Sequence, residues 1–218
     1  MDRPERQSSI LDSLADGERE RLRALASRRR YGDRQTVFAK GDPAKGMYWV
    51  AEGRVRIVTN SAEGKEVILR VLGPGEIFGE IAMLDGGERT ADAVADGAAE
   101  LMHVGRADFM AFLEGNPKLC IELLELVCGR LRSTSEQLED FSFLDLRARL
   151  AKRLLQLAGD GDGEGAIALS QQTLAAMMGT TREAVNKQLR TWEEEGAVAL
   201  GRGSVIILDA AALQALAE

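Results

Sequence analysis

The chain has 218 residues, with 28 lysines and arginines against 35 aspartates and glutamates, which gives a formal net charge of −7. Its 45% hydrophobic and 29% charged residues are typical of a folded globular protein and argue against a mainly disordered chain. The acidic balance excludes a globally basic nucleic-acid-binding domain, so any DNA-binding surface has to be local.

The supply of metal-binding side chains is small. The sequence holds one histidine, His103, and two cysteines, Cys120 and Cys128. These are too few for a zinc site, a haem or a four-cysteine iron–sulfur cluster, and His103 is interpreted as an ordinary, partly buried residue of a strand. We therefore expect no metal, haem or iron–sulfur cluster.

The hydropathy pattern predicts no contact with a membrane. No apolar run approaches the roughly 18 residues that a transmembrane helix needs. The first residues also lack the apolar stretch of a secretory signal. With so few cysteines, we expect a cytoplasmic location in a reducing environment.

In the first half of the chain, a helix is followed by short runs of β type. Apolar residues at helical spacing predict a helix within Ser8–Ala26. Short apolar runs separated by glycines follow at 47–50, 55–58, 67–72 and 101–104. Such spacing predicts an antiparallel sandwich or barrel, and Glu52-Gly53-Arg54 predicts a hairpin that joins the first two strands.

After residue 105 the hydrophobic period becomes helical. Asp108–Leu113 predicts one helix, and Pro117 marks the start of another. The second helix carries seam residues at alternating steps of four and three, namely Cys120, Leu124, Val127, Leu131, Thr134, Leu138 and Phe141. This pattern favours a coiled-coil dimerisation helix, and the alternative is an amphipathic helix packed on its own domain.

A smaller region begins after Phe143-Leu144-Asp145. A basic helix is predicted over Leu146–Ala158. The acidic, glycine-rich segment Gly159–Gly165 lacks the spacing of a calcium-binding loop and is interpreted as a solvated surface loop. Two further helices, Gln171–Met178 and Arg182–Glu195, precede two short strands around Gly201-Arg202-Gly203.

The last two helices have the pattern of a helix-turn-helix. Two helices that cross steeply need a small residue at the crossing, here Ala175, and a glycine in the turn, here Gly179. Val185 would pack the second helix on the first. Thr180 or Thr181 would cap its N-terminus.

The second helix presents side chains suited to DNA. Arg182, Glu183 and Lys187 are types that bond guanine and cytosine edges in the major groove, and Arg190 suits a phosphate. From Ser170 to Trp192 the local charge is +2. The alternative is a helix pair that packs in a core or binds protein. The predicted DNA-binding residues are Gln171, Thr181, Arg182, Glu183, Lys187 and Arg190.

Two segments of the first half, Gly73–Ala82 and Glu88–Ala91, resemble the phosphate-binding cassette of cyclic-nucleotide-binding domains. With Phe143-Leu144-Asp145 and the helix-turn-helix, residues 10–210 resemble the CRP/FNR family. The resemblance implies an α+β fold with an N-terminal antiparallel β-roll over 1–115, a long central dimerisation helix over 116–143 and a C-terminal winged helix-turn-helix over 144–218. Phe143, Leu144 and Asp145 would form the hinge.

The resemblance also implies an allosteric effector. Backbone N–H groups from Gly79 onward would cradle an anion, Glu80 would accept from a ribose 2′-hydroxyl, and Arg89 would bind the cyclic phosphate. Thr134, and Ser135 from the second subunit, would meet the adenine. The implied nucleotide-binding residues are Gly79, Glu80, Ile81, Ala82, Arg89, Thr90, Thr134 and Ser135. This set favours cAMP, and Thr90 leaves cGMP open because threonine is common there in cGMP-preferring domains.

The predicted function is a ligand-gated, sequence-specific transcription regulator that binds palindromic double-stranded DNA as a homodimer. RNA polymerase is a further implied partner. An enzyme is disfavoured because no nucleophile–base pair or metal cluster emerges from the sequence. Two alternatives stay open: a regulator of the same fold that is constitutive or senses another small molecule, and a cyclic-nucleotide-binding module that regulates a protein partner.

Overall fold

The computed structural model describes residues 11, 14–62, 64–159 and 166–217. These residues form two compact units. The first unit holds the described residues up to 65 and residues 69–131, and the second holds residues 66–68 and the described residues from 132 onward. Among the described helices, none has the length and apolar character of a membrane span.

The first unit combines strands with short helices. In chain order its elements are α1 (Asp16–Leu25), β1 (Ser27–Tyr31), β2 (Thr36–Phe38), β3 (Gly46–Glu52), β4 (Val55–Asn60), β5 (Glu66–Leu72), β6 (Ile77–Phe78), α2 (Glu80–Asp85), β7 (Asp92–Ala95), β8 (Ala99–Gly105) and α3 (Arg106–Glu114). The long helix α4 (Pro117–Phe143) begins here and ends in the second unit. The predicted strand runs and the helix predicted over Asp108–Leu113 thus appear at the expected places. The first helix begins at Asp16 and is shorter than the predicted Ser8–Ala26, of which residues 8–10, 12 and 13 lie outside the described residues.

The strands form two four-stranded sheets, in the orders β1-β8-β3-β6 and β2-β7-β4-β5, with antiparallel pairing. Strand β3 is buried on both faces. Its Tyr48 and Val50 lie in the core between the sheets, whereas Met47 and Trp49 pack against α1, α2, α3 and the start of α4. The helices therefore cover the outer face of the sheet that contains β3, and the antiparallel β architecture is confirmed.

The predicted hairpin at Glu52-Gly53-Arg54 is wrong. Strand β3 pairs with β8 and β6, whereas β4 pairs with β7, so the turn passes from one sheet to the other. Gly53 has φ 79°, and a Cβ atom there would lie 2.3 Å from the carbonyl oxygen of Ala98. Only glycine fits so tight a corner without strain. A glycine between two strand patterns is equally compatible with a hairpin and with a change of sheet.

Two faces of helix α4 differ in how deeply their side chains are buried. Leu119 and Leu123 are 2% exposed and belong to the core beneath the helices. The seam side chains Leu124, Leu131 and Leu138 are 61%, 66% and 68% exposed. The interpretation that the helix packs on its own domain is confirmed for one stripe. The three leucines of the predicted seam are exposed in the single chain, and their role in dimerisation stays a prediction.

The second unit contains the last turns of α4 and the C-terminal elements. These are α5 (Leu146–Gly159), β9 (Ala166–Ile167), α6 (Gln171–Met177), α7 (Arg182–Glu194), β10 (Val198–Gly201), β11 (Ser204–Ile207) and α8 (Ala210–Ala217). The strands form an antiparallel sheet in the order β10-β11-β9. The sequence predicted neither β9 nor α8. Beyond Gly159, the predicted acidic loop lies outside the described residues.

The junction between α4 and α5 is short. Helix α4 ends at Phe143, as predicted, and the carboxylate of Asp145 accepts a hydrogen bond from the Ala148 N–H at 2.8 Å, which caps α5. An ion pair of 2.7 Å joins Lys152 of α5 to Asp140 in the last turn of α4. These contacts fix the two helix ends on either side of the predicted hinge.

Candidate functional site

The first cassette segment passes through β6 and the turn at Gly79 into α2, and the second, which contains Arg89, lies between α2 and β7. Gly79 follows β6 with φ 77°, and a Cβ atom there would lie 2.5 Å from Nη1 of Arg89. The guanidinium thus passes directly over the glycine, and no other residue type leaves room for it. Of the next three residues, Glu80 and Ala82 are buried and Ile81 is exposed.

Arg89, from the segment after α2, places its guanidinium beside this turn and is 4% exposed. It donates from Nη1 to the carbonyl of Gly79 at 2.7 Å and from Nη2 to the carbonyl of Gly46 at 2.6 Å. Its Nε atom is buried and has no hydrogen-bond partner among the described residues. Burial lowers the pKa of Arg89, and the nearby Tyr48, Glu80 and Asp42 oppose this shift.

Glu80 is buried as well, but it has a counter-ion. Its Oε1 lies 2.6 Å from Nη1 of Arg130 in α4, and Nη2 of Arg130 donates to the carbonyl of Ile77 at 2.5 Å. Sequence reasoning missed Arg130. A signal existed, because Arg130 lies seven residues after the buried Leu123, on the stripe of α4 that packs on its own domain.

The cassette fits the phosphate of a nucleotide. The Glu80–Arg130 pair is neutral in sum, so the charge of Arg89 remains, with a buried Nε–H that a phosphate oxygen would satisfy. Because α2 has only six residues, this fit depends on the guanidinium rather than on a helix dipole. Thr90 is exposed beside Arg89.

Thr134 and Ser135 are exposed residues of α4 in the second unit. They follow Arg130 by about one turn of the helix, so they share the element that holds the counter-ion of Glu80. Their contact with a nucleotide base stays a prediction.

The helix-turn-helix is formed by α6 and α7. The two crossing residues, Ala175 and Val185, are 1% and 0% exposed, and Gly179 has φ 60° in the turn between the helices. The hydroxyl of Thr181 accepts a hydrogen bond from the Ala184 N–H at 3.2 Å. Thr181, and not Thr180, is therefore the cap of α7.

The predicted base-contacting side chains lie on the outer face of α7. Its inner face is formed by Val185, Leu189 and Trp192, which are buried. The exposed side chains are Arg182, Glu183, Lys187 and Arg190. Gln171 is half-buried in the first turn of α6, and Arg202 is exposed in the turn between β10 and β11. The structure thus brings an arginine, a glutamate and a lysine to one accessible helix face, as a major-groove contact requires.

Comparison with known proteins assigns both regions. The cyclic nucleotide-binding domain family matches residues 28–116, and the Crp-like helix-turn-helix domain family matches residues 148–216. The chain is 38% identical to the cyclic AMP receptor protein of Thermus thermophilus over 210 residues, which are 96% of this chain and 97% of the relative. It is 35% identical to a CRP-like cAMP-activated global transcriptional regulator of Mycobacterium tuberculosis over 80% of each chain.

Two solved structures are similar to this chain over most of its length. The catabolite activator protein of Thermus thermophilus is similar with 37% identity and a TM-score of 0.58, over 96% of this chain and 98% of that protein. The c-di-GMP-responsive global regulator CLP of Xanthomonas campestris is similar with 25% identity and a TM-score of 0.78, over 88% of this chain and 99% of that protein.

Proposed function

Since this chain belongs to the CRP/FNR family of cyclic-nucleotide-binding, DNA-binding transcription regulators, we propose that cAMP is its effector and that it binds palindromic DNA as a homodimer. In this proposal residues 1–115 bind the nucleotide, 116–143 form the dimer contact and 144–218 bind DNA. RNA polymerase is the partner through which a regulator of this kind would act.

The observation that carries the nucleotide proposal is the buried Arg89. Its guanidinium retains an unsatisfied Nε–H and a positive charge that no carboxylate of the described residues pairs with directly. A buried cation without a counter-ion favours an anionic ligand. The Thr134 and Ser135 hydroxyls would hydrogen-bond a purine edge. Of the two relatives named above, one is described as a cyclic AMP receptor protein and the other as cAMP-activated, which also supports cAMP.

The dimer proposal depends on the uncovered seam of α4. Leu124, Leu131 and Leu138 repeat at a spacing of seven and remain more than half exposed in the single chain. Two such helices side by side would bury these side chains and bring two copies of α7 to successive major grooves, which are about 34 Å apart. Phe143, Leu144 and Asp145 would then form the hinge that sets this separation.

The experiment is a calorimetric titration of the full chain with cAMP and with cGMP, repeated in the presence of operator DNA obtained by binding-site selection. We expect cAMP to bind more tightly than cGMP, and Arg89→Leu to abolish binding of both. The matched control is Arg21→Leu, which removes an exposed arginine of α1 and should leave the affinity unchanged.

Three results would contradict parts of the proposal. Retained affinity in Arg89→Leu would exclude the cassette as the phosphate site. Equal DNA affinity with and without the nucleotide would favour a constitutive regulator or another effector. If the unmodified protein binds the nucleotide but shows no sequence-specific binding to DNA, a module that regulates a protein partner would be favoured.

A further inference from the structure

The side chain of Phe38 lies against the guanidinium of Arg89. Phe38 is the last residue of β2, and the Cζ atom of Arg89 lies 4.1 Å from the centroid of its ring. A Cβ atom on Gly79 would be 3.4 Å from Cε1 of the same ring. The ring therefore borders the cassette turn, although the sequence places it about 50 residues before Arg89.

The main chain holds these two side chains together. The turn directly after Phe38 pairs with Arg89 twice: the Gly41 N–H donates to the Arg89 carbonyl and the Arg89 N–H donates to the Asp42 carbonyl, both at 2.9 Å. The ring itself is held by Tyr48 and Phe78, each with its centroid 5.9 Å away. These contacts place the ring and the guanidinium side by side and restrain both.

The contacts of the guanidinium divide into two kinds. The carbonyls of Gly79 and Gly46 bind its Nη atoms in the plane of the group, and the ring of Phe38 covers one face of that plane. Hydrogen bonds in the plane still allow the group to tilt, whereas a contact on its face does not. The combination leaves Nε–H, in one fixed direction, without a partner in the described part of the chain.

An aromatic ring stabilises a buried cation without neutralising it. A carboxylate at position 38 would compete with a phosphate for the N–H groups of Arg89, but a ring face attracts the cation through its quadrupole and offers no hydrogen-bond acceptor in the plane. A group that is already oriented also loses less entropy when its ligand binds. Resting on the proposed nucleotide site, we propose that Phe38 is a positioning residue that orients Arg89 for the phosphate of the nucleotide.

The test compares Phe38→Leu with Phe38→Tyr, which keeps the ring. We expect Phe38→Leu to weaken cAMP binding about 3- to 30-fold, the range of a desolvated cation–π contact, and Phe38→Tyr to restore most of it. The matched control is Phe112→Leu, which makes the same change in the helix-covered core away from Arg89. In an Arg89→Lys background, Phe38→Leu should have little further effect on affinity. Phe38→Met takes the place of Phe38→Leu if that variant does not fold.

An NMR signal separates positioning from general packing. The Nε–H proton of Arg89, identified by its loss in Arg89→Lys, should be shifted upfield by the ring current and should lose this shift in the Phe38 variant that lacks the ring. Unchanged cAMP affinity in that variant, or an equal loss in Phe112→Leu, would overturn the inference. Absence of cyclic-nucleotide binding in the unmodified protein would instead overturn the proposed function itself.

Discussion

Glu80 is the first residue of α2 and Arg89 lies in the segment after that helix; both are buried, yet the protein compensates the two charges differently. Glu80 is 3% exposed and has the counter-ion Arg130, whereas Arg89 has two carbonyl acceptors and the ring of Phe38. A buried charge costs free energy unless hydrogen bonds or an opposite charge compensate it. The charge without a direct carboxylate partner among the described residues is the positive one, and this asymmetry supports the proposed anionic ligand.

Glu80 and Arg89 were predicted from the resemblance of two short segments to a phosphate-binding cassette, and the structure places both buried residues beside the turn at Gly79. Phe38 and Arg130 could not be found in this way. They come from β2 and α4, and only the packing of the sheets and the helix brings them to the cassette. The resemblance thus indicated the charged residues of the candidate site, and the tertiary structure showed what contacts each of them.

Arg182 is exposed in the first turn of α7, where an arginine reaches a base edge. We expect Arg182→Ala to relax discrimination at one guanine in each half-site, by about 1–3 kcal/mol. The measurement is a binding-site selection followed by affinity titrations on single-base variants. Arg190→Ala is the matched control, because a phosphate contact should weaken all sequences alike. An unchanged preference in Arg182→Ala would exclude this residue from base recognition.

His103 gives stability a dependence on pH. Its ring lies beside Tyr48, with centroids 4.7 Å apart, and its Nδ1 is 3.1 Å from Nη2 of Arg29. Burial, together with the positive charges of Arg29 and Arg89, lowers the pKa of His103 from 6.5 to about 4. Between these two values the unfolded chain binds a proton that the folded chain does not, so stability falls as the pH drops from 6.5 to 4.

Two measurements test the expected effect of His103 on the pH dependence of stability. Because the sequence contains one histidine, an NMR titration of its ring protons gives the pKa without assignment. In addition, the urea midpoint of His103→Gln should fall less between pH 7 and pH 5 than that of the unmodified protein. A folded-state pKa near 6.5, or equal falls in the two proteins, would contradict this expectation.

At the scale of whole elements, α4 shows what the hydrophobic period of a sequence can predict. The helix has two apolar stripes: one packs on its own domain, as the alternative interpretation predicted, and the other carries exposed leucines whose predicted role in a dimer is open to test. The prediction of a hairpin between β3 and β4 was wrong, because these two strands belong to different sheets. Pairing partners depend on which sheet a strand enters, and neither the alternating pattern nor Gly53 contains that information.

The uncovered stripe of α4 predicts the effect of a charge in the seam. We expect Leu131→Glu to convert the dimer to a monomer, because two carboxylates would face each other across the helix pair. Arg132→Glu, which adds the same side chain one position further on and off the seam, should remain dimeric. Sedimentation equilibrium in the presence of cAMP distinguishes the two. A monomeric unmodified protein would contradict the dimer itself.

At the scale of the molecule, charge is distributed against non-specific DNA binding. The chain carries −5 up to Phe143 and −2 from Leu144 onward, which together make the −7 of the whole. Within these totals, some segments are locally positive: the stretch from Ser170 to Trp192 carries +2 and helix α5 carries +4. Attraction to DNA therefore depends on local groups of cations, and the net negative charge of the whole chain opposes it.

This distribution predicts a measurable salt dependence. Binding to operator DNA should weaken linearly on a log–log plot against salt, and Arg190→Ala should reduce the slope by about 0.9 for each subunit that binds, because one phosphate contact is lost. Binding to random-sequence DNA should be weak at physiological salt. The check is a series of fluorescence anisotropy titrations at increasing salt, with Arg21→Ala as the control. An unchanged slope in Arg190→Ala would exclude a phosphate contact.

The burial of β3 on both faces has an evolutionary consequence. Its residues from Gly46 to Val50 are all buried, and a Cβ atom on Gly46 would lie within 2.1 Å of the carbonyl oxygen of Val104. In an ordinary surface sheet, every second position is free to accumulate substitutions. Here each substitution disturbs one of two cores, so this strand should be among the segments slowest to diverge, while the seam and the outer face of α7 adapt to new partners and new operators.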